Sequence, residues 1–288
     1  MVGTGWILVG VSDSPGSRAA VFYAAHAAAR AESRLRIVHV SPSCSSLVAA
    51  GGTAATTLAR AVDEAGWYLS EDRIMGELVV GDTGRTLSDL ADGAVMIVMG
   101  HARAEVSGHA SSGSLVGRVA GAAAVPVVVV PDAWAPSEPR ARVVLGLKLV
   151  DEIPEMLLQA ALRVARTRHA ELTVVHVREP NDPESQARTT EDTVHDIEHR
   201  IAGIVPAGRF PRVQVDVVDG APGDVLGQES RSADLLLIAR RAGTTPSGRF
   251  GGIGRELLSI AHCPVMVLPV AEALDSEDTR PTAAPARG

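Results

Sequence analysis

The feature that most constrains this chain is that it repeats itself. The string Arg36-Ile-Val-His-Val40 returns as Thr173-Val-Val-His-Val177, 137 positions later, each copy after an alanine-rich stretch, AAHAAARAESRL and then AALRVARTRHAEL. Val125-Pro-Val-Val-Val-Val-Pro131 returns as Cys263-Pro-Val-Met-Val-Leu-Pro269, with Pro126 and Pro264 138 apart. Trp6-Ile-Leu-Val-Gly-Val11 returns as Arg142-Val-Val-Leu-Gly-Leu147, with Gly10 and Gly146 136 apart. Three anchors at one near-constant offset define a tandem duplication. The length, 288 residues, suits two domains of common size.

Each copy alternates short β-branched runs with longer helical runs, the pattern of βαβ units that build a parallel sheet. The first copy predicts strands near 6–11, 35–40, 76–81, 95–100 and 126–130, with helices near 16–32, 54–70, 84–92 and 113–123. The second predicts strands near 142–147, 171–177, 212–217, 234–239 and 264–269, with helices near 153–168, 190–204, 222–231 and 253–261. Runs such as ILVGV, VMIVM and LLLIA are apolar on both faces, as strands covered by helices on each side must be. The expected fold is α/β: two tandem open, mostly parallel five-stranded sheets with helices on both faces, Rossmann-like in each copy. Domains are expected at 1–131 and 142–270, joined by a proline-containing linker at 132–141 and followed by a disordered tail at 271–288.

Composition narrows function. Hydrophobic residues make up 46% and charged residues 21%, enough apolar surface to fold, yet aromatics are only 3%. Trp6, Phe22, Tyr23, Trp67, Tyr68, Trp134, Phe210 and Phe250 form no stacking platform on one strand, and the net charge is −7. Both observations argue against nucleic acid and against an anionic membrane surface as partners. The longest uncharged apolar run, Val119 to Val130, is broken by Pro126 and is too short to span a bilayer. Cys44 and Cys263 are far apart with no zinc or disulfide spacing, and the N-terminus lacks a basic region and cleavage signal, so a cytoplasmic location is expected.

In an open parallel sheet ligands bind beyond the carboxyl ends of the strands where strand order reverses, here after strands one and four. After strand four come Gly100-His-Ala-Arg103, nine further residues, then Gly113-Ser114 opening a helix. A glycine backbone, a serine hydroxyl and the free amides of a helix start suit an anion. The same residues also describe an ordinary strand end and an ordinary helix cap. His39 and His176, inside strand two of each copy, read as structural, and His101 and His109 as exposed loop histidines. No Ser-His-Asp order and no P-loop is recognisable, so no catalytic residue is assigned.

These pieces resemble the universal stress protein family over nearly the whole chain: ILVGVSDSPGSRAAVFYAA, RIVHV, VMIVMG, Gly113-Ser114 and VPVVVVP in the first copy, and TVVHV, GAPGDVL, ADLLLIA and HCPVMVLPV in the second. The resemblance implies a tandem member with an adenine nucleotide alpha hydrolase-like fold. It also implies an ATP site in the first copy, adenine near Val11 and Val40 and phosphates at Gly100, Gly113, Ser114, Leu115 and Val116, with Met99 at the end of strand four. The first copy keeps Gly100, Gly113 and Ser114 of the family's Gly-x2-Gly-x9-Gly-Ser/Thr loop. It departs at the second glycine, here Arg103, and at the aspartate after strand one, here Ser12 with Asp13 beside it. In the second copy Lys148 stands in the aspartate position, Ala239-Arg-Arg-Ala242 lacks the glycines, and Gly251-Gly252 fits only if the loop is one residue shorter, so no nucleotide is expected there. An alternative reading, a protein-interaction module that binds no nucleotide, is left open by these departures. The valine-rich last strands would be exposed sheet edges, and the resemblance implies that they pair with each other, with room for a homodimer.

Overall fold

A computed structural model of the chain describes residues 5–44, 52–101, 115–135, 142–147, 153–180, 188–204, 212–241 and 251–270. The first half runs β1 (Trp6–Val11), α1 (Pro15–Arg30), β2 (Arg34–Ser41), α2 (Thr53–Ala65), β3 (Ile74–Val80), α3 (Thr83–Asp89), β4 (Ala94–His101), α4 (Leu115–Ala122) and β5 (Val127–Pro131). The second runs β6 (Arg142–Leu147), α5 (Glu155–Thr167), β7 (Glu171–Arg178), α6 (Thr190–Ile204), β8 (Val213–Asp219), α7 (Pro222–Glu229), β9 (Leu235–Arg241), α8 (Gly252–Ile260) and β10 (Val265–Val270).

The strands form one ten-stranded sheet in the order β3-β2-β1-β4-β5-β10-β9-β6-β7-β8. Every neighbouring pair is parallel except β5 and β10, which run antiparallel with Val127 opposite Val267, Val128 opposite Met266 and Val129 opposite Val265. The two expected five-stranded sheets are therefore fused edge to edge. Strands without charges at their centres can be buried on both sides, and alternate residues divide between two cores. Ile7, Val9 and Val11 turn to the α1, α2, α5 and α6 face, while Leu8 joins Leu87, Val119 and Leu257 on the α3, α4, α7 and α8 face.

Helix α1 meets its face through Ala20, Ala24, Ala25 and Ala28, all fully buried, with Tyr23 as its one large buried ring. Alanine lets the helix approach the strands closely. The helix α2 ends earlier than the sequence pattern suggests, with Gly66 at its C-cap. Leu69 then folds back, its amide donating to the Ala65 carbonyl at 3.1 Å, and its side chain joins the core. Arg73 secures the turn by donating to the Ala28 and Ser33 carbonyls at 2.7 and 2.6 Å, and β3 starts directly afterwards at Ile74.

Side chains gather around α1, and one of them crosses from the second half. Trp134, beyond β5, packs edge-on against Phe22 and Tyr23 of α1 at centroid distances of 6.2 and 5.7 Å. Arg168, at the C-cap of α5, lies 5.3 Å from the Tyr23 ring centre and donates to its hydroxyl.

The first turn of α1 is pressed onto the end of β4 through two glycines. A Cβ at Gly100 would stand 2.1 Å from the Gly16 carbonyl oxygen, and one at Gly16 would stand 3.0 Å from the His101 amide nitrogen. Backbone cannot yield there as a flexible side chain would, so Gly100→Ala is expected to cost about 1–3 kcal/mol or more. Urea unfolding of the full chain checks this, and an unchanged midpoint would show that α1 can shift without penalty.

Candidate functional site

Strand order reverses at β1. The chain leaves β1 for β2 on one side, and β4 lies on the other, so the loops after β1 and β4 diverge at the carboxyl edge of the sheet. A cavity of about 70 Å³ opens between them. Of the residues expected to bind a nucleotide, Val11, Ser12, Val40, Met99, Gly100, Leu115 and Val116 line it. Asp13 does not. It borders a neighbouring crevice of about 320 Å³ between α1 and α2, where it pairs with Arg60 at 3.5 Å beside an Arg18–Glu64 pair at 3.2 Å. Both pairs are solvent-exposed enough to contribute little. Arg103, Gly113 and Ser114, with His109 and Lys148, lie outside the described residues.

Several lining residues carry no sequence motif. Leu87 of α3 reaches the floor of the cavity because Gly10 leaves room for it: a Cβ at Gly10 would sit 3.0 Å from the Leu87 Cδ1 atom. The second half repeats the device, with Leu226 against Gly146 at 2.7 Å from the corresponding Cβ position. A glycine inside a strand in both copies was the available signal, since such glycines mark close approaches.

The wall near α1 is a hydroxyl cluster. Ser17 Oγ accepts from the Ser12 amide at 2.8 Å, and Ser12 Oγ donates to Ser14 Oγ at 2.9 Å. The Ser12 and Ser17 oxygens are 3.2 Å apart. Ser14 is the N-cap of α1, followed by Pro15, so the cluster sits at the positive end of that helix. Ser12 thus supplies hydrogen-bonding capacity where the family pattern has a charge.

Gly100 is required by its contact with Gly16. Its role in the fold is steric, whatever it also presents to a ligand. Next to it, the half-buried His101 loses solvation, which pulls its imidazole below the ordinary value of 6.5, against a smaller opposing pull from Asp132. His39 is half-buried and its Nδ1 has no hydrogen-bond partner among the described residues, while His176 is buried. Among the described residues no group of three or more histidine, cysteine, aspartate or glutamate side chains is gathered to hold a metal ion. No helix of the described residues is long and apolar enough to cross a membrane.

The model of the universal stress protein family matches residues 5–131 and again 142–269, so this chain belongs to that family as a tandem member. Among solved structures it is similar to a universal stress protein from Archaeoglobus fulgidus, with 16% identity, TM-score 0.68, and coverage of 93% of this chain and 97% of that one. It is likewise similar to a putative universal stress protein from Pseudomonas aeruginosa, with 15% identity, TM-score 0.62, and coverage of 93% and 94%. At these identities the likeness concerns the fold. A universal stress protein from Archaeoglobus fulgidus in complex with dAMP matches 45% of this chain and 98% of its own, at 21% identity and TM-score 0.35. No curated protein matches the chain.

The depressed His101 proton affinity has a pH signature. The unfolded chain takes up a proton as pH falls through about 6.5 while the folded histidine stays neutral, so stability declines on acidification below that point. His26, also lowered by burial and by Arg30, adds to the decline. In His101→Gln the loss of stability between about pH 7 and pH 5 should be smaller than in wild type, measured by denaturant unfolding at each pH. An identical profile would mean that His101 is solvated in solution.

Proposed function

We propose that the first half binds an adenine nucleotide in the crevice between the ends of β1 and β4, and that the chain serves as a stress-response protein through that binding rather than through catalysis. The convergence of Val11, Ser12, Val40, Met99, Gly100, Leu115 and Val116 on one cavity at the reversal of strand order carries the reading. Val11 and Val40 offer apolar surface to adenine, while the Ser12–Ser14–Ser17 hydroxyls and the start of α4 offer donors to ribose and phosphate. ATP is the ligand expected from the family pattern. The second half is read as a non-binding copy.

A second reading, a protein-interaction module without nucleotide, is favoured by the cavity's volume. About 70 Å³ is far below the roughly 300–1,000 Å³ of ordinary ligand pockets. Ser12 in place of the family's aspartate favours it too.

Acid precipitation of the purified protein, followed by analysis of the supernatant, separates the two. Co-purified adenine nucleotide, or a rise in melting temperature with millimolar ATP, supports the first reading, since a ligand that binds only the folded state raises its stability. Absence of both supports the second. Under the first reading Ser12→Asp, which restores a carboxylate for ribose or adenine donors, tightens ATP binding about tenfold, the worth of a hydrogen bond to a charged group.

A further inference from the structure

We propose that the second half positions the crevice of the first through Arg240, which clamps helix α4 from across the β5–β10 seam. The proposal rests on the reading of that crevice as a nucleotide site.

Arg240 lies near the end of β9 and is only 9% exposed. Its Nη2 donates to the Ala123 carbonyl at 2.6 Å, 117 positions away in sequence and in the other half. Ala123 closes the last turn of α4, its amide donating to the Val119 carbonyl at 2.9 Å. The carbonyl that Arg240 engages is therefore one that a helix leaves without an internal partner, at the negative end of its dipole. A guanidinium is expensive to bury, and among the described residues no carboxylate offsets it: no ion pair there includes Arg240, and its Nε has no partner there. Packing alone would be served better by an apolar side chain. What Arg240 contributes is a directed, charge-assisted hold on one helix end.

The opposite end of the same helix carries Leu115 and Val116, which line the crevice. Eight residues of α-helix span about 12 Å, short enough to move as a rod, so fixing one end fixes the other. The seam makes the reach possible. Because β5 and β10 are antiparallel, the carboxyl end of β9 lies level with the start of β5, one strand away across β10, and that is where α4 finishes. Arg240 pairs with Pro269 as His101 pairs with Pro131, so the two occupy corresponding strand ends in the two copies. In the first half that strand end adjoins the crevice. In the second it supplies the long cation that braces its neighbour.

Hydrogen exchange followed by mass spectrometry on the full chain, run beside a titration with a fluorescent ATP analogue, tests the clamp. In Arg240→Met, exchange of the hydrogen-bonded α4 amides, Val119 to Ala123, whose acceptors begin at the Leu115 carbonyl, should quicken about tenfold or more while β6 to β8 keep wild-type rates. The Kd for the analogue should rise severalfold. Arg240→Lys, which keeps the cation without the planar fork, should fall between, and decides the matter if the methionine variant does not fold. Unchanged α4 exchange, a uniform rise across the whole sheet, or a loosened α4 with unaltered Kd would each overturn the proposal. If wild type binds no nucleotide, the nucleotide reading falls, and exchange at Val119 and Ala120, whose acceptors are the Leu115 and Val116 carbonyls, alone then supports the clamp when faster or overturns it when unchanged.

Discussion

The pairing of β5 with β10 is the contact on which the rest of the architecture turns. Each half taken alone would end in a valine-rich strand, VVVVP in β5 and VMVLPV in β10, apolar on both faces and unpaired along one edge, which is an invitation to aggregate. Joining the two edges removes both hazards at once and converts two five-stranded sheets into one of ten. The antiparallel sense also sets the geometry of everything nearby. It points the carboxyl edges of the two halves in opposite directions and brings the end of β9 to the end of α4. The Arg168–Tyr23 contact then ties α1 of one half to α5 of the other, with Trp134 packed against the same Tyr23 ring.

Within the first half, two glycine contacts shape the crevice. Gly16 against Gly100 draws the start of α1 onto β4, and Gly10 admits Leu87 beneath the cavity. The first contact places the Ser12, Ser14 and Ser17 hydroxyls at the helix start. The second keeps the cavity shallow. The second half preserves the Gly146–Leu226 contact but has Ala239 and Arg240 where the first has Gly100 and His101, by their pairing against the last strands. The copies share a scaffold and diverge at the strand ends.

Most of the fold was legible in the sequence because its determinants are local or periodic. The repeat offset and the doubly apolar strands predicted the element order and the parallel sheets, the valine-rich last strands marked edges in need of cover, and the family resemblance implied that they pair with each other. Element ends were less legible: α2 stops at Ala65 because of a turn that Leu69 closes locally and Arg73 holds through the distant Ala28 and Ser33 carbonyls. Val11, Val40 and Met99, adjacent to strand ends, come together along one cavity because strand order fixes which ends converge. Asp13 instead faces the neighbouring crevice, where its pairing with Arg60 depends on the position of α2, which no local pattern gives. Gly100 was read as an opening for phosphate, whereas its steric requirement comes from Gly16, far away in sequence. Arg240 carried no motif at all, and its meaning exists only once the two halves are joined.

If the seam makes the two copies one structural unit, the intact chain should unfold as a unit. Differential scanning calorimetry measures this directly. A single transition whose calorimetric enthalpy equals its van't Hoff enthalpy is the predicted result. Two resolved transitions, or a calorimetric enthalpy near twice the van't Hoff value, would show that the halves melt independently and that the β5–β10 pairing does not couple them.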